Sequence, residues 1–190
     1  MLQTRGMNNV KICISVGHSM LKNGNITSAD GTEFGGGNEY RFCKEFAPAL
    51  KKCLENAGHE VTIVRVPEKS IASVTEEKKY KIAKYNAKKY DLNLELHLNA
   101  ASSAKACGTE ALFVSKAGEK IAEAIIAKLS ELYKNRGTKK RTDLYFLKQT
   151  SAPAVLLELF FCTNPSEWKK AQVNKRKMAR LITEAINSVK

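Results

Sequence analysis

Two histidines and one glutamate of this chain stand where strands are expected to end or to be interrupted. His18 follows the apolar run Val10–Val16, His97 falls near the end of the segment Asp91–Asn99, and Glu158 is the lone charge inside Val155-Leu156-Leu157-Glu158-Leu159-Phe160-Phe161. In α/β proteins, ligands gather beyond the C-terminal ends of the strands. An ionised carboxylate in an apolar strand is costly unless a cation, a proton or water lies within reach. Two neutral imidazoles and one carboxylate around zinc, with a fourth position open to water, make up the hydrolytic His₂Glu centres. The chemistry these residue types suggest is therefore metal-assisted hydrolysis.

For the carboxylate ligand the sequence offers Asp30, Glu33, Glu39 and Glu95. Glu39 is favoured, because it follows the helix cap Asn38 at the end of a Gly-rich loop, on an ordered element whose start can face the C-terminal edge of a sheet. A Glu in a first helical turn is also favourable against the helix dipole with no metal at all, so residue type alone leaves the choice open. His59, beside Gly58, reads as a plain loop residue. Gly35-Gly36-Gly37 reads as loop flexibility rather than a phosphate cradle, since no Gly-Lys-Ser/Thr follows it.

The elements that must position these groups alternate strand and helix with short connections. From Asp91 to Asn99 the even positions 92, 94, 96 and 98 are all Leu, and the odd ones read Asp, Asn, Glu, His, Asn. One face of that strand suits a core, and the other presents Glu95, His97 and Asn99 to a site. Further strands are expected at Val10–Val16, Val61–Val66, Thr109–Val114, Leu144–Leu147 and Ala154–Cys162. Helices are expected from Asn38 to Gly58 with Phe42, Phe46, Ala49, Leu50 and Cys53 on one face, from Thr75 to about Tyr90, over Lys116–Asn135, and after Asn164-Pro165-Ser166-Glu167. This predicts an α/β fold: a single domain with a twisted, mostly parallel sheet of about six strands, flanked by helices on both faces, and a zinc site at the C-terminal edge of the sheet.

At 190 residues and 43% hydrophobic, the chain has the size of one domain with a sizeable core. No apolar stretch approaches the length of a membrane span, and Met1–Asn9 lacks the apolar segment of a signal peptide, so synthesis in a cytoplasm without standard export is expected. Five cysteines with no C-x-x-C pair argue against a disulfide framework. The net charge of +13 suits a polyanionic partner. Nucleic acid is not expected, because no basic helix with interleaved aromatics, RNP-like strand or helix-turn-helix spacing occurs; oligomerisation has no signature, and a monomer is the default.

Four segments, Ile14-Ser15-Val16-Gly17-His18, Asn38-Glu39, His97-Leu98-Asn99-Ala100 and Leu157-Glu158-Leu159-Phe160-Phe161-Cys162-Thr163-Asn164, resemble in order the motifs of the zinc-dependent N-acetylmuramoyl-L-alanine amidases of the amidase-3 family. The likeness extends to the catalytic domains of clostridial phage endolysins and covers about Val10 to Val189. It implies that His18, Glu39 and His97 hold Zn²⁺ and that Glu158 is the catalytic carboxylate. The substrate implied is peptidoglycan, cut between N-acetylmuramic acid and L-alanine, with action on the wall after release from the cell. Glu95 departs from the family, which more often has a small residue such as Ser there. Glu95 and Asn99 are accordingly expected to touch substrate or support the ligands. Residues 10–190 are expected to form the catalytic domain and 1–9 an extension, with no separate wall-binding module. The rival readings are another zinc amide hydrolase, a carboxypeptidase or deacetylase, and a basic non-catalytic wall-binding protein.

Overall fold

A computed structural model describes residues 9–189; apart from Asn9, the expected N-terminal extension lies outside the described residues. The strands are β1 (Lys11–Val16), β2 (Glu60–Val64), β3 (Leu92–Asn99), β4 (Thr109–Phe113), β5 (Asn135–Lys140) and β6 (Ala154–Phe161). The helices are α1 (Glu39–Asn56), α2 (Val74–Tyr85), α3 (Lys116–Leu129), α4 (Tyr145–Lys148) and α5 (Pro165–Ser188). The strands form one sheet in the order β2-β1-β3-β6-β4-β5, parallel throughout except where β4 runs against β6.

Alternation along the central strands divides the interior into two cores. Ile12, Ile14 and Val16, the four leucines of β3, and Val155, Leu157 and Leu159 of β6 pack with the apolar faces of α1, α3 and α5. On the other side, Cys13, Leu112 and Leu156 meet Tyr85 of α2 and Phe146 and Leu147 of α4. The polar residues of β3 point to this thinner second layer, where Asn93 and Glu95 are buried and His97 and Asn99 reach its open end.

Local chemistry sets the helix ends as expected at α1 and α5. The Asn38 side chain accepts from the Arg41 N–H, and α1 closes with Gly58 at φ +95°, the Gly58 and His59 N–H groups donating to the Glu55 and Leu54 carbonyls. Asn164 accepts from the Glu167 N–H with Pro165 in the first turn. Glu167 does not turn back on its own cap; it accepts from the Gly108 N–H at 2.8 Å and the Phe161 N–H at 3.0 Å, tying α5 to β6 and to the start of β4.

Elsewhere the structure corrects the expected boundaries. Leu144–Leu147 is not a strand, because Tyr145–Lys148 makes the helical turn α4 and buries Phe146 and Leu147 under the sheet. The sixth strand is instead Asn135–Lys140, a stretch with no expected strand, and the helix expected to reach Asn135 stops at Leu129. An edge strand of this kind, Asn-Arg-Gly-Thr-Lys-Lys, has no apolar alternation to reveal it, and Gly137, at φ +82°, lies where its register with β4 shifts. Helix α2 begins at Val74 behind the cap Ser73 and ends at Tyr85. There Asn86 leaves the helix, donating to the Gln149 carbonyl and accepting from the Ser151 N–H. The apolar stripe of α1 is rotated from the expected one, with Cys43, Ala47 and Leu54 buried and Ala49 and Cys53 half-buried.

Candidate metal centre

His18, Glu39 and His97 come from three elements and converge at the C-terminal edge of β1 and β3. His18 sits just past β1 with φ +62°, a left-handed conformation that costs energy in a residue with a Cβ and persists only where the surroundings impose it. The cap places Glu39 first in α1, with its carboxylate buried at the edge of the sheet. Its Oε1 accepts from the Leu98 N–H at 3.0 Å and lies 2.9 Å from His97 Nδ1; its Oε2 accepts from the Ala29 N–H at 3.1 Å and lies 3.2 Å from His18 Nε2. The three potential ligand atoms lie within 4.8 Å of one another. Two imidazoles and a carboxylate so gathered match the donor set of hydrolytic zinc sites.

The electrostatics favour a cation at the same point. Burial would raise the Glu39 carboxyl, but hydrogen bonds and charge from His18 and His97 hold it well below the usual range. Burial would lower His97, but Glu39 and Glu95 on its two sides raise it well above an ordinary imidazole. Room for the His97 ring depends on Gly17: a Cβ there would come within 2.5 Å of His97 Cε1 and 2.7 Å of the Leu96 carbonyl oxygen. Gly17→Ala is expected to displace the imidazole, weaken metal binding and cost about 1–3 kcal/mol of stability by overpacking, read from a zinc titration and a urea midpoint. Normal values for both would show that the ring has room to move.

The other carboxylates considered for the ligand set fall outside the cluster. Asp30 accepts from the Thr32 N–H and the Asn38 side chain to shape its loop, and Glu33 is exposed. Glu95 lies behind His97, with Oε2 at 3.4 Å from Nε2. Glu158 faces the same polar layer from β6, in register with His97 on one side and with Glu110 on the other. Its Oε2 is buried without a hydrogen-bond partner among the described residues. Burial pushes this carboxyl up to about 7, with His97 opposing the rise and Glu39, Glu110 and Glu95 adding to it. Asn99 donates to Glu110 Oε1 at 3.2 Å; Glu110 in turn accepts from Lys139 and Arg136. Asn99 is thus fixed on the rim of the cavity, about 320 Å³ in volume, that opens over His18, Glu39, His97 and Glu158.

Two loop expectations resolve differently. His59 is structural, its Nε2 lying 2.8 Å from Asn187 Oδ1 and anchoring the end of α5. The Gly-rich loop is not a flexible spacer: Gly31, Gly36 and Gly37 exchange backbone hydrogen bonds with one another and with Cys162, and a Cβ at Gly36 would collide with the Cys162 carbonyl. These contacts deliver the chain into α1 at a fixed position. The sequence reading missed Glu77, Lys81 and Tyr85, although their spacing of four puts them on one face of α2.

The family profile for N-acetylmuramoyl-L-alanine amidases, Amidase_3, matches residues 12–188. The chain belongs to this amidase family. Among solved structures, the catalytic domain of an endolysin targeting Clostridia difficile superposes with a TM-score of 0.90 at 42% identity, covering 95% of this chain and 98% of that one. An uncharacterized protein of Clostridium perfringens is 30% identical over 94% of this chain and 52% of its own length. A Staphylococcus epidermidis protein described as "probable cell wall amidase LytH" is 26% identical over 78% of this chain and 47% of its own length. The amidase domain seen here thus spans about half the length of the curated relatives it matches. Among the described residues, no helix is long and apolar enough to cross a membrane.

Proposed function

We propose that this chain is a zinc-dependent peptidoglycan hydrolase of the phage-endolysin type, cleaving the amide between the lactyl group of N-acetylmuramic acid and L-alanine of the stem peptide. The observation that carries this reading is the pairing of the His18–Glu39–His97 cluster, across one cavity, with Glu158, whose Oε2 has no hydrogen-bond partner among the described residues, in a chain of the amidase family. His18, Glu39 and His97 would hold the metal, and bound zinc supplies Lewis-acid activation of water and of the scissile carbonyl. Glu158, raised to about 7, is matched to proton transfer near neutral pH. It takes the proton of the attacking water and passes it to the departing amine, so the new chain end is the α-amino group of L-alanine. Asn99 lines the cavity, and it and the loops that follow His18 and His97 would contact glycan and stem peptide.

Digestion of purified peptidoglycan tests this assignment. Free alanine α-amino groups should appear without new reducing sugar ends. Release of acetate or of a C-terminal amino acid would point to a deacetylase or carboxypeptidase, and bound metal with no turnover to a wall-binding protein.

The net charge of +13 fits a wall carrying anionic polymers. Retention on intact walls should therefore fall steeply as salt is raised past physiological strength, where exposed charges are screened beyond about 8 Å. Salt-independent retention would make the basic surface incidental to wall binding.

A further inference from the structure

Behind His97 lies a polar cluster that the proposed reaction does not use. Helix α2 buries only Glu77, Lys81 and Tyr85, one residue per turn, so polar groups anchor it to the sheet. Lys81 is fully buried, its Nζ 3.0 Å from Glu77 Oε1 and 3.5 Å from Glu95 Oε1. Glu95 Oε1 also accepts from the Tyr85 hydroxyl at 2.9 Å and from Ser15 Oγ at 3.3 Å, and its other oxygen faces His97 Nε2. Glu77 Oε2 accepts from Ser19 Oγ at 2.8 Å and Thr27 Oγ1 at 3.1 Å, on the loop that carries His18. One buried ammonium thus stands between two carboxylates, each serving the surroundings of one histidine.

A buried carboxylate opposite an imidazole decides which ring nitrogen carries the proton. His97 Nδ1 faces Glu39 and the ligand cluster, whereas Nε2 faces Glu95. If the proton sat on Nδ1, the ring would donate to Glu39 and offer the cluster no lone pair. With the proton on Nε2, the ring donates to Glu95 and Nδ1 is free. Lys81 Nζ, the Tyr85 hydroxyl and Ser15 Oγ all gather on Glu95 Oε1, which leaves Oε2 turned to His97 as the acceptor this arrangement needs.

We propose that Glu95, held by the buried Lys81, is a positioning residue that accepts a hydrogen bond from the Nε2–H of His97 and so leaves Nδ1 as the ligand atom, while Glu77 on the same lysine steadies the His18 loop. This rests on the metal reading given above. It explains a fully buried lysine on a helix that could have been anchored by apolar side chains.

The test is zinc affinity of the whole chain, by competition with a chromophoric chelator, together with the cobalt(II) absorption spectrum. Glu95→Gln keeps the shape and removes the charge; it should weaken zinc by about 10- to 100-fold and alter the cobalt bands, with the thermal midpoint little changed. Lys81→Met should weaken zinc in the Glu95 background and add nothing to Glu95→Gln, since both act through one carboxylate. Should Lys81→Met fail to fold, Tyr85→Phe, which removes one donor to Glu95, should weaken zinc in the same direction. Wild-type affinity and cobalt bands in Glu95→Gln would overturn the proposal, as would a Lys81→Met or Tyr85→Phe protein that loses thermal stability but binds zinc normally. A wild-type protein that takes up no zinc fails the metal reading instead, so the two failures are distinguishable.

Discussion

Glu158→Gln is expected to slow release of alanine α-amino groups from peptidoglycan by about 10²- to 10⁴-fold, the range for loss of a positioned general acid–base group, while the folded protein retains its metal. The expectation follows from where the side chain stands. Its Oε2 is buried with no partner among the described residues, and the carboxyl is raised to about 7, so the group can both accept and return a proton near neutral pH. The three ligand candidates do not include it. Glutamine fills the same volume and removes a charge that burial disfavours, so the thermal midpoint should hold or rise. Zinc content, thermal midpoint and initial rate measured on one preparation check all three parts. Near-normal turnover would remove Glu158 from the mechanism, and loss of zinc would make it a ligand.

How much of this was legible in the sequence depended on what each residue is packed against. The β3 stripe declared itself because a strand between two unlike layers must alternate, and the structure buries all four of its leucines in the larger core. Glu158 was visible for the same reason: a lone charge in an apolar strand must meet something polar. Both ends of α1 and the start of α5 follow from Asn, Pro and Gly acting over three or four residues, a range that sequence inspection reaches directly. Strand β5 escaped because an edge strand owes its place to hydrogen bonding with β4, not to burial of its own side chains, which are largely polar. Leu144–Leu147 has the composition of a buried strand and of a buried helical turn alike, and only the layer above the sheet decides between them. Lys81 was hidden by its company. In a chain with 32 lysines and arginines, a lysine on a helix reads as solvated, and its burial becomes apparent only when Glu77 and Glu95 are brought to it from α2 and β3.

His97→Ala and His18→Ala are each expected to abolish stoichiometric zinc binding, and with it peptidoglycan cleavage. Three protein ligands are the usual complement of a hydrolytic zinc site, so removing one leaves two donors and an exposed ion with little to hold it. The variants should fold: both histidines lie at the edge of the sheet, partly exposed, and neither belongs to either apolar core. Glu39→Ala should also lose zinc, and its stability is expected to suffer more, because the Ala29 and Leu98 N–H groups would lose their carboxylate acceptor. Glu33→Ala is the control that separates the assignments, since Glu33 is exposed and outside the cluster. Metal analysis after dialysis reads all four variants. Full zinc in either histidine variant would defeat the ligand set, and zinc lost from Glu33→Ala but kept by Glu39→Ala would move the carboxylate ligand into the loop before α1.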